Sequence, residues 1–196
     1  MRRWMLAAVV GPALVMGTFA TFAAQAQGAW KSYVVKELGI AFAAPGKVET
    51  TTGTSRGEVA GPRQTMIFKS SANNIDYRVT VLSFKQSQAE GAAILGERTY
   101  MFQDKKNTLM DTWARVEPGK DAVYGRKMVV EQPEGKGRTM AAFYFTKGKL
   151  VQLEATILPA NGDYQSPDPA RFIDSIAFNI ARAGAGAVEL QAPKLE

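Results

Sequence analysis

The side chains that do most protein chemistry are missing from this sequence: its 196 residues include no cysteine and no histidine. Without histidine, the commonest general base and the commonest transition-metal ligand are gone. Without cysteine there is no thiol nucleophile, redox pair, thiolate metal site or disulfide. A Ser-His-Asp triad, a Cys-His dyad, a histidine zinc centre and ordinary haem ligation are all excluded. Carboxylates, lysines and hard cations held by oxygens remain.

Four groups of residues can be weighed against that remainder. Asn161-Gly162-Asp163-Tyr164-Gln165-Ser166-Pro167-Asp168 gathers two carboxylates and several carbonyls, as a calcium site requires. It lacks the D-x-[DN]-x-[DN]-G spacing of an EF-hand and a closing glutamate. A turn leading into a helix cap accounts for the same residues. Glu131 and Glu134, on either side of Pro133, are the pair to consider for acid–base hydrolysis of a sugar polymer. At a hairpin tip, however, such charges ordinarily just solvate the turn. Gly135-Lys136-Gly137-Arg138-Thr139 has the look of a phosphate loop but not its G-x-x-x-x-G-K-[ST] spacing, and it leads into a strand rather than a helix. The aromatics Trp113, Tyr124, Phe143, Tyr144, Phe145 and Phe172 either line an apolar pocket or form core. Phe143 and Phe145 share one strand face and Tyr144 takes the other, which predicts a strand covered on both sides. No catalytic, cofactor-binding or metal-ligating residue is assigned, no cofactor is expected, and the chain reads as non-enzymatic.

Location is more legible than chemistry. Arg2 and Arg3 precede an apolar run from Trp4 to about Ala24, which ends in Ala24-Gln25-Ala26. This order of basic, apolar and small residues predicts a secretory signal over residues 1–26, cleaved near Ala26, and a periplasmic product. A retained anchor is the alternative, because the run is near bilayer-spanning length. Its Ala, Gly and Thr content and the Gly11-Pro12 break favour cleavage. The two arginines fit either a general or a twin-arginine export signal. With no cysteine at the cleavage site, lipoprotein anchoring is excluded.

The remaining 170 or so residues suit one domain. Hydrophobic residues make up 46% of the chain and charged residues 21%, a globular composition. The net charge of +6 is spread along the chain without the aromatic interleaving of a nucleic-acid site. Nucleic acid is therefore not an expected partner, and membrane association is expected only through an uncleaved signal.

The elements that must position these residues follow from periodicity. Trp30–Val35 and Leu38–Gly46 predict two strands with a tight turn, and Lys47–Thr54 continues as a strand. Arg63–Lys69 and Ile75–Phe84 flank a small polar link and predict a hairpin. Ser87-Gln88-Ala89-Glu90 forms a capping box, opening a helix from about Gln88 to Gln103. Leu109–Val116 reads as a second short helix or a strand. Ala122–Glu131, Arg138–Thr146 and Lys149–Leu158 predict three strands, the last with a dry face and a polar face. Asp168–Ile176 predicts a short helix with Asp168 capping and Pro169 in the first turn. Ala177–Ile180 follows as a closing strand, and residues 181–196 as a mobile tail. The order predicts a single α+β domain over residues 27–180, with helices packed on a largely antiparallel sheet.

Three segments together resemble the PsbP/Mog1-like group. These are Gly39-Ile40-Ala41-Phe42-Ala43-Ala44-Pro45-Gly46, the hairpin through Tyr144 and Lys147-Gly148-Lys149-Leu150-Val151-Gln152, and Arg171-Phe172-Ile173-Asp174-Ser175-Ile176-Ala177-Phe178. In that group a helix with a Phe-x-x-Ser pattern leads into the last strand. The resemblance covers most of Trp30–Ile180 and implies an α/β/α sandwich around an antiparallel sheet. Members serve as photosystem assembly and stabilisation factors, GTPase-binding factors and bacterial envelope proteins, so the fold implies no single activity. The expectation is an uncharacterised bacterial periplasmic branch. Its role would be to bind another envelope protein or assist its assembly, with a periplasmic small-molecule or lipid-binding module as the alternative.

Overall fold

The computed structural model describes residues 29–56, 61–84, 90–117 and 119–194. The expected signal, and Ser87 of the expected capping box, lie outside the described residues. A seven-stranded, wholly antiparallel sheet organises the molecule. Its strands are β3 (Glu49–Ser55), β4 (Arg63–Ala72), β5 (Ile75–Ser83), β6 (Asn107–Val116), β7 (Val123–Glu131), β8 (Arg138–Thr146) and β9 (Lys149–Ile157). They lie in the order β3-β4-β5-β9-β8-β7-β6. A smaller sheet contains β1 (Trp30–Val35), β2 (Ile40–Pro45) and β10 (Val188–Glu189), in the order β10-β1-β2. The helices are α1 (Gly91–Gln103) and α2 (Asp168–Asp174).

Turn chemistry sets the hairpins. β4 and β5 are joined by Asn73 and Asn74 at φ 52° and 54°, and β8 and β9 by Lys147 and Gly148 at 49° and 69°. Two successive left-handed residues make the tight turn whose twist matches paired strands. The expected strand at 47–54 forms as β3 but leaves the sheet of β2. The chain crosses from one sheet to the other at Gly46, φ 68°. The ambiguous Leu109–Val116 is the strand β6, paired antiparallel with β7.

β8 is covered on both faces, as the aromatic alternation predicts. On one side Phe143 and Phe145 pack with Ile94, Leu95 and Phe102 of α1. On the other, Ala142 and Tyr144 join a cluster built on Tyr33, Phe42, Phe68, Tyr77, Phe172 and Ile173. α2 and the small sheet supply the cover on that side. Within it the Phe172 ring meets Tyr77 at 5.2 Å and Phe42 at 6.4 Å between centroids. The Ser175 hydroxyl accepts the Ala43 amide at 2.9 Å and donates to the Phe172 carbonyl at 2.7 Å, fixing α2 to β2. The Phe-x-x-Ser pattern is thus one core ring and one tether. The result is an α+β fold with a largely antiparallel sheet between two layers.

The polar face of β9 forms as expected, and α1 covers part of it, where Gln152 is 5% exposed. Three expectations change. Asp168 is not a side-chain cap. Pro167 occupies the N-cap, because its φ of −74° already suits a helix start. Ala177 forms a single bridge to Ala41 rather than a strand. The stretch expected as a mobile tail carries β10, which pairs parallel with the otherwise free edge of β1. There the Leu190 amide donates to the Val34 carbonyl at 2.8 Å, and Leu190 and Ala192 pack on the core.

Candidate functional site

Loops gather at one end of the molecule around an open cleft of about 800 Å³. The end of β6, the start of β7, the end of β8 and the 178–182 segment frame it. Tyr124, Phe145, Phe178 and Ile180 give it apolar wall, while Glu117, Asp121, Lys147 and Arg182 give it charge. A second hollow of about 210 Å³ shares Gly39, Thr146, Lys147 and Phe178 with it and continues toward Lys36 and Lys149.

Glu117 builds the wall. Its carboxylate is 5% exposed and lies 2.7 Å from the Arg182 guanidinium. It also accepts the amides of Phe178 and Asn179 at 3.2 and 3.3 Å. The backbone there sits at φ 66°, a left-handed conformation unusual outside glycine. Charge-assisted bonds of this type are among the stronger ones in proteins. They pin the segment after α2 to the end of β6, and Phe178 packs edge-on against Tyr144 at 5.5 Å. Burial, reinforced by Asp174, pushes the Tyr144 hydroxyl up to about 12.

A second concentration of polar groups lies under α1. Arg98 donates Nε to Gln152 at 2.8 Å and Nη1 to Ser55 at 2.7 Å. Gln152 donates to Glu154 at 2.6 Å, and Glu154 stands 3.8 Å from Arg78. Burial draws the Arg98 guanidinium and the Lys106 ammonium below their usual ranges, opposed by Glu154. Both Glu154 oxygens already face a donor or a cation. This arrangement holds a helix on a sheet; it presents no group poised to take a proton.

The residues singled out by sequence are scattered. In the 161–168 loop the oxygens serve the backbone: Asn161 accepts the Asp163 amide at 3.0 Å and Asp163 accepts the Gln165 amide at 2.8 Å. Among the described residues no group of three acidic, histidine or cysteine side chains could hold a metal ion. Glu131 accepts from Asn107 at 3.0 Å and Arg138 at 3.1 Å, and those bonds hold its carboxyl below the usual range. A general acid needs the opposite shift. Glu134 instead pairs with Lys136 at 2.6 Å. Gly137, at φ 115°, belongs to the turn into β8, where an added Cβ would lie 2.1 Å from the Ile157 carbonyl oxygen. Of the six aromatics, Phe143, Tyr144, Phe145 and Phe172 are buried, whereas Trp113 and Tyr124 are 72% and 62% exposed. Only Tyr124 and Phe145 reach the cleft. Glu117 and Arg182, which shape it, carry no motif. Their one sequence signal is an acidic residue next to the Pro118-Gly119 dipeptide.

No protein-family model and no curated protein sequence matches the chain. Among solved structures it is similar to the cyanobacterial PsbP protein, CyanoP, of Synechocystis. The TM-score is 0.52 at 11% identity, covering 82% of this chain and 99% of that one. Among the described residues no helix is long and apolar enough to cross a membrane. The architecture, and the likeness that spans nearly all of CyanoP, give this chain a PsbP-like fold.

Proposed function

We propose that this chain is an exported, non-enzymatic protein of the cell envelope that binds another envelope protein or assists its assembly. The observation that carries the reading is the end cleft: about 800 Å³, open to solvent, with apolar walls and charged rims. Together with the adjoining hollow it makes a groove suited to an extended polypeptide segment rather than an enclosed small molecule. The alternative, a lipid or small-molecule module, would use a pocket between sheet and helix. Here Gly91 of α1 sits so close to Phe145 that an added Cβ would lie 2.0 Å from the ring. The missing histidine and cysteine, and the ion-paired carboxylates, support a role without turnover.

The test places a photoreactive residue at Ile180, in the cleft, and another at Thr51, on β3 at the far edge of the sheet. Cells are irradiated and the envelope fraction is analysed. A single dominant protein adduct from position 180, absent from position 51, is expected, with the mature chain beginning at Gln27. No adduct at 180, with a small molecule retained in native mass spectra, would overturn the reading in favour of the ligand-binding module.

A further inference from the structure

We propose that the outer edge of β6 recognises itself: two copies of this chain pair β6 with β6, antiparallel, about a two-fold axis at Trp113. β6 ends the seven-stranded sheet, so among the described residues one side of its backbone is unpaired. A long free edge is a template for another strand, and proteins usually blunt it. β6 carries one such device, a bulge at Leu109, where the register with β7 slips between Thr108 and Met110. From Met110 to Val116 the pairing with β7 is regular. Trp113 is the middle residue of that stretch.

Centred on Trp113, the sequence complements itself. Asp111 falls opposite the partner's Arg115, and Arg115 opposite the partner's Asp111. Trp113 meets the partner's Trp113 on the same face. On the other face Met110 faces the partner's Val116, and Thr112 faces the partner's Ala114. Opposite charges and aromatic or apolar pairs directly across an antiparallel ladder are favourable, and like charges there are not. In the monomer Trp113 and Arg115 stay available. Trp113 is 72% exposed although the Arg126 guanidinium lies over its ring at 4.9 Å. Asp111 is paired with Arg126 on its own sheet, while Arg115 has no ion pair among the described residues. The opposite edge, β3, reads Glu49-Thr50-Thr51-Thr52-Gly53-Thr54-Ser55 and has no complementary charge to offer a copy of itself. Pairing would extend the sheet to fourteen strands and place two end clefts roughly 25–30 Å apart along the joined edge, from 3.4 Å per residue.

The test is sedimentation of the full chain across micromolar to submillimolar concentration. A dimer is expected. Arg115→Asp puts carboxylates opposite each other and gives monomer, as does Asp111→Arg with two cations. An equimolar mixture of these two variants restores a dimer, because each aspartate then faces an arginine. The chain has no cysteine, so Trp113→Cys gives a disulfide-linked dimer under oxidant, and Thr51→Cys does not. If Asp111→Arg fails to fold through loss of its Arg126 pair, Arg115→Asp and Trp113→Cys still decide. A wild-type chain that stays monomeric, or a dimer that Arg115→Asp leaves intact, overturns the proposal.

Discussion

The two layers that enclose the large sheet cover it by different means. On one side β1, β2, β10 and α2 lay down a nearly dry array in which Trp30, Tyr33, Phe42, Phe68, Tyr77 and Phe172 meet ring to ring. On the other, among the described residues, α1 covers part of the sheet. It combines a small apolar cluster with the Arg98–Gln152–Glu154 chain and leaves Trp113 of β6 and Tyr124 of β7 exposed. Interlocked rings tolerate few arrangements, so the first layer fixes the strands. The second layer is thinner and more polar. Packing is concentrated in the first layer, and the two proposed recognition surfaces, the end cleft and the β6 edge, lie at the margins of both.

The largest expected difference is in packing. Phe172→Ala removes the ring shared by Phe42 and Tyr77 and should destabilise by about 3–5 kcal/mol. Phe102→Ala, on α1 at the rim of the second layer, should lose clearly less. Urea unfolding of both variants measures the gap, and equal losses would break the contrast between the layers. Next comes alkaline pH. Tyr144 belongs to the first layer, and its hydroxyl is pushed up to about 12 by burial, so folding favours the protonated form. A raised folded value means that this contribution is complete below the ordinary tyrosine value near 10 and is lost as pH climbs through 12. The loss should reach roughly 2–3 kcal/mol. Unfolding free energies measured from pH 9 to 12 should fall more steeply for the wild type than for Tyr144→Phe, and parallel curves would dismiss Tyr144 as the source.

The contrast between the layers also sets what could be read from sequence. β8 and β9 are legible because interior strands show their burial as alternation: Phe143, Phe145 and Tyr144 gave both covered faces, and Val151, Leu153, Ala155 and Ile157 gave the dry one. β6 is not, because at the sheet edge its inner face is only half-buried, at Met110, Ala114 and Val116, and polar Thr112 interrupts the alternation. Gln152 and Glu154 read only as a polar face, since polar type cannot reveal that Arg98 will arrive from a helix 54 residues away to cover Gln152. The end cleft was illegible for the same reason. Glu117 acts on amides 61 and 62 residues farther along the chain. β10 was missed because two residues, Val188 and Glu189, make no pattern; the unpaired edge of β1 recruits them.

The smallest expected effect sharpens the account of the second layer. Arg98 is half-buried, and its aliphatic stem packs while its head reaches Gln152 and Ser55. Arg98→Met keeps the stem but leaves the buried Gln152 oxygen unpaired, a loss of about 1–2 kcal/mol. Gln152→Leu should cost a similar amount, because it strands the guanidinium and removes a donor to Glu154. If the two act as a unit, the double variant should lose less than the sum of the singles, by about 1 kcal/mol. Guanidinium-chloride unfolding of all four proteins closes the cycle. Simple additivity would mean that water already serves both groups, and that α1 is held by Ile94, Leu95 and Phe102 alone. Coupling would mean that the polar chain helps to fix where α1 lies across the sheet, beside the five buried positions along one face of the helix.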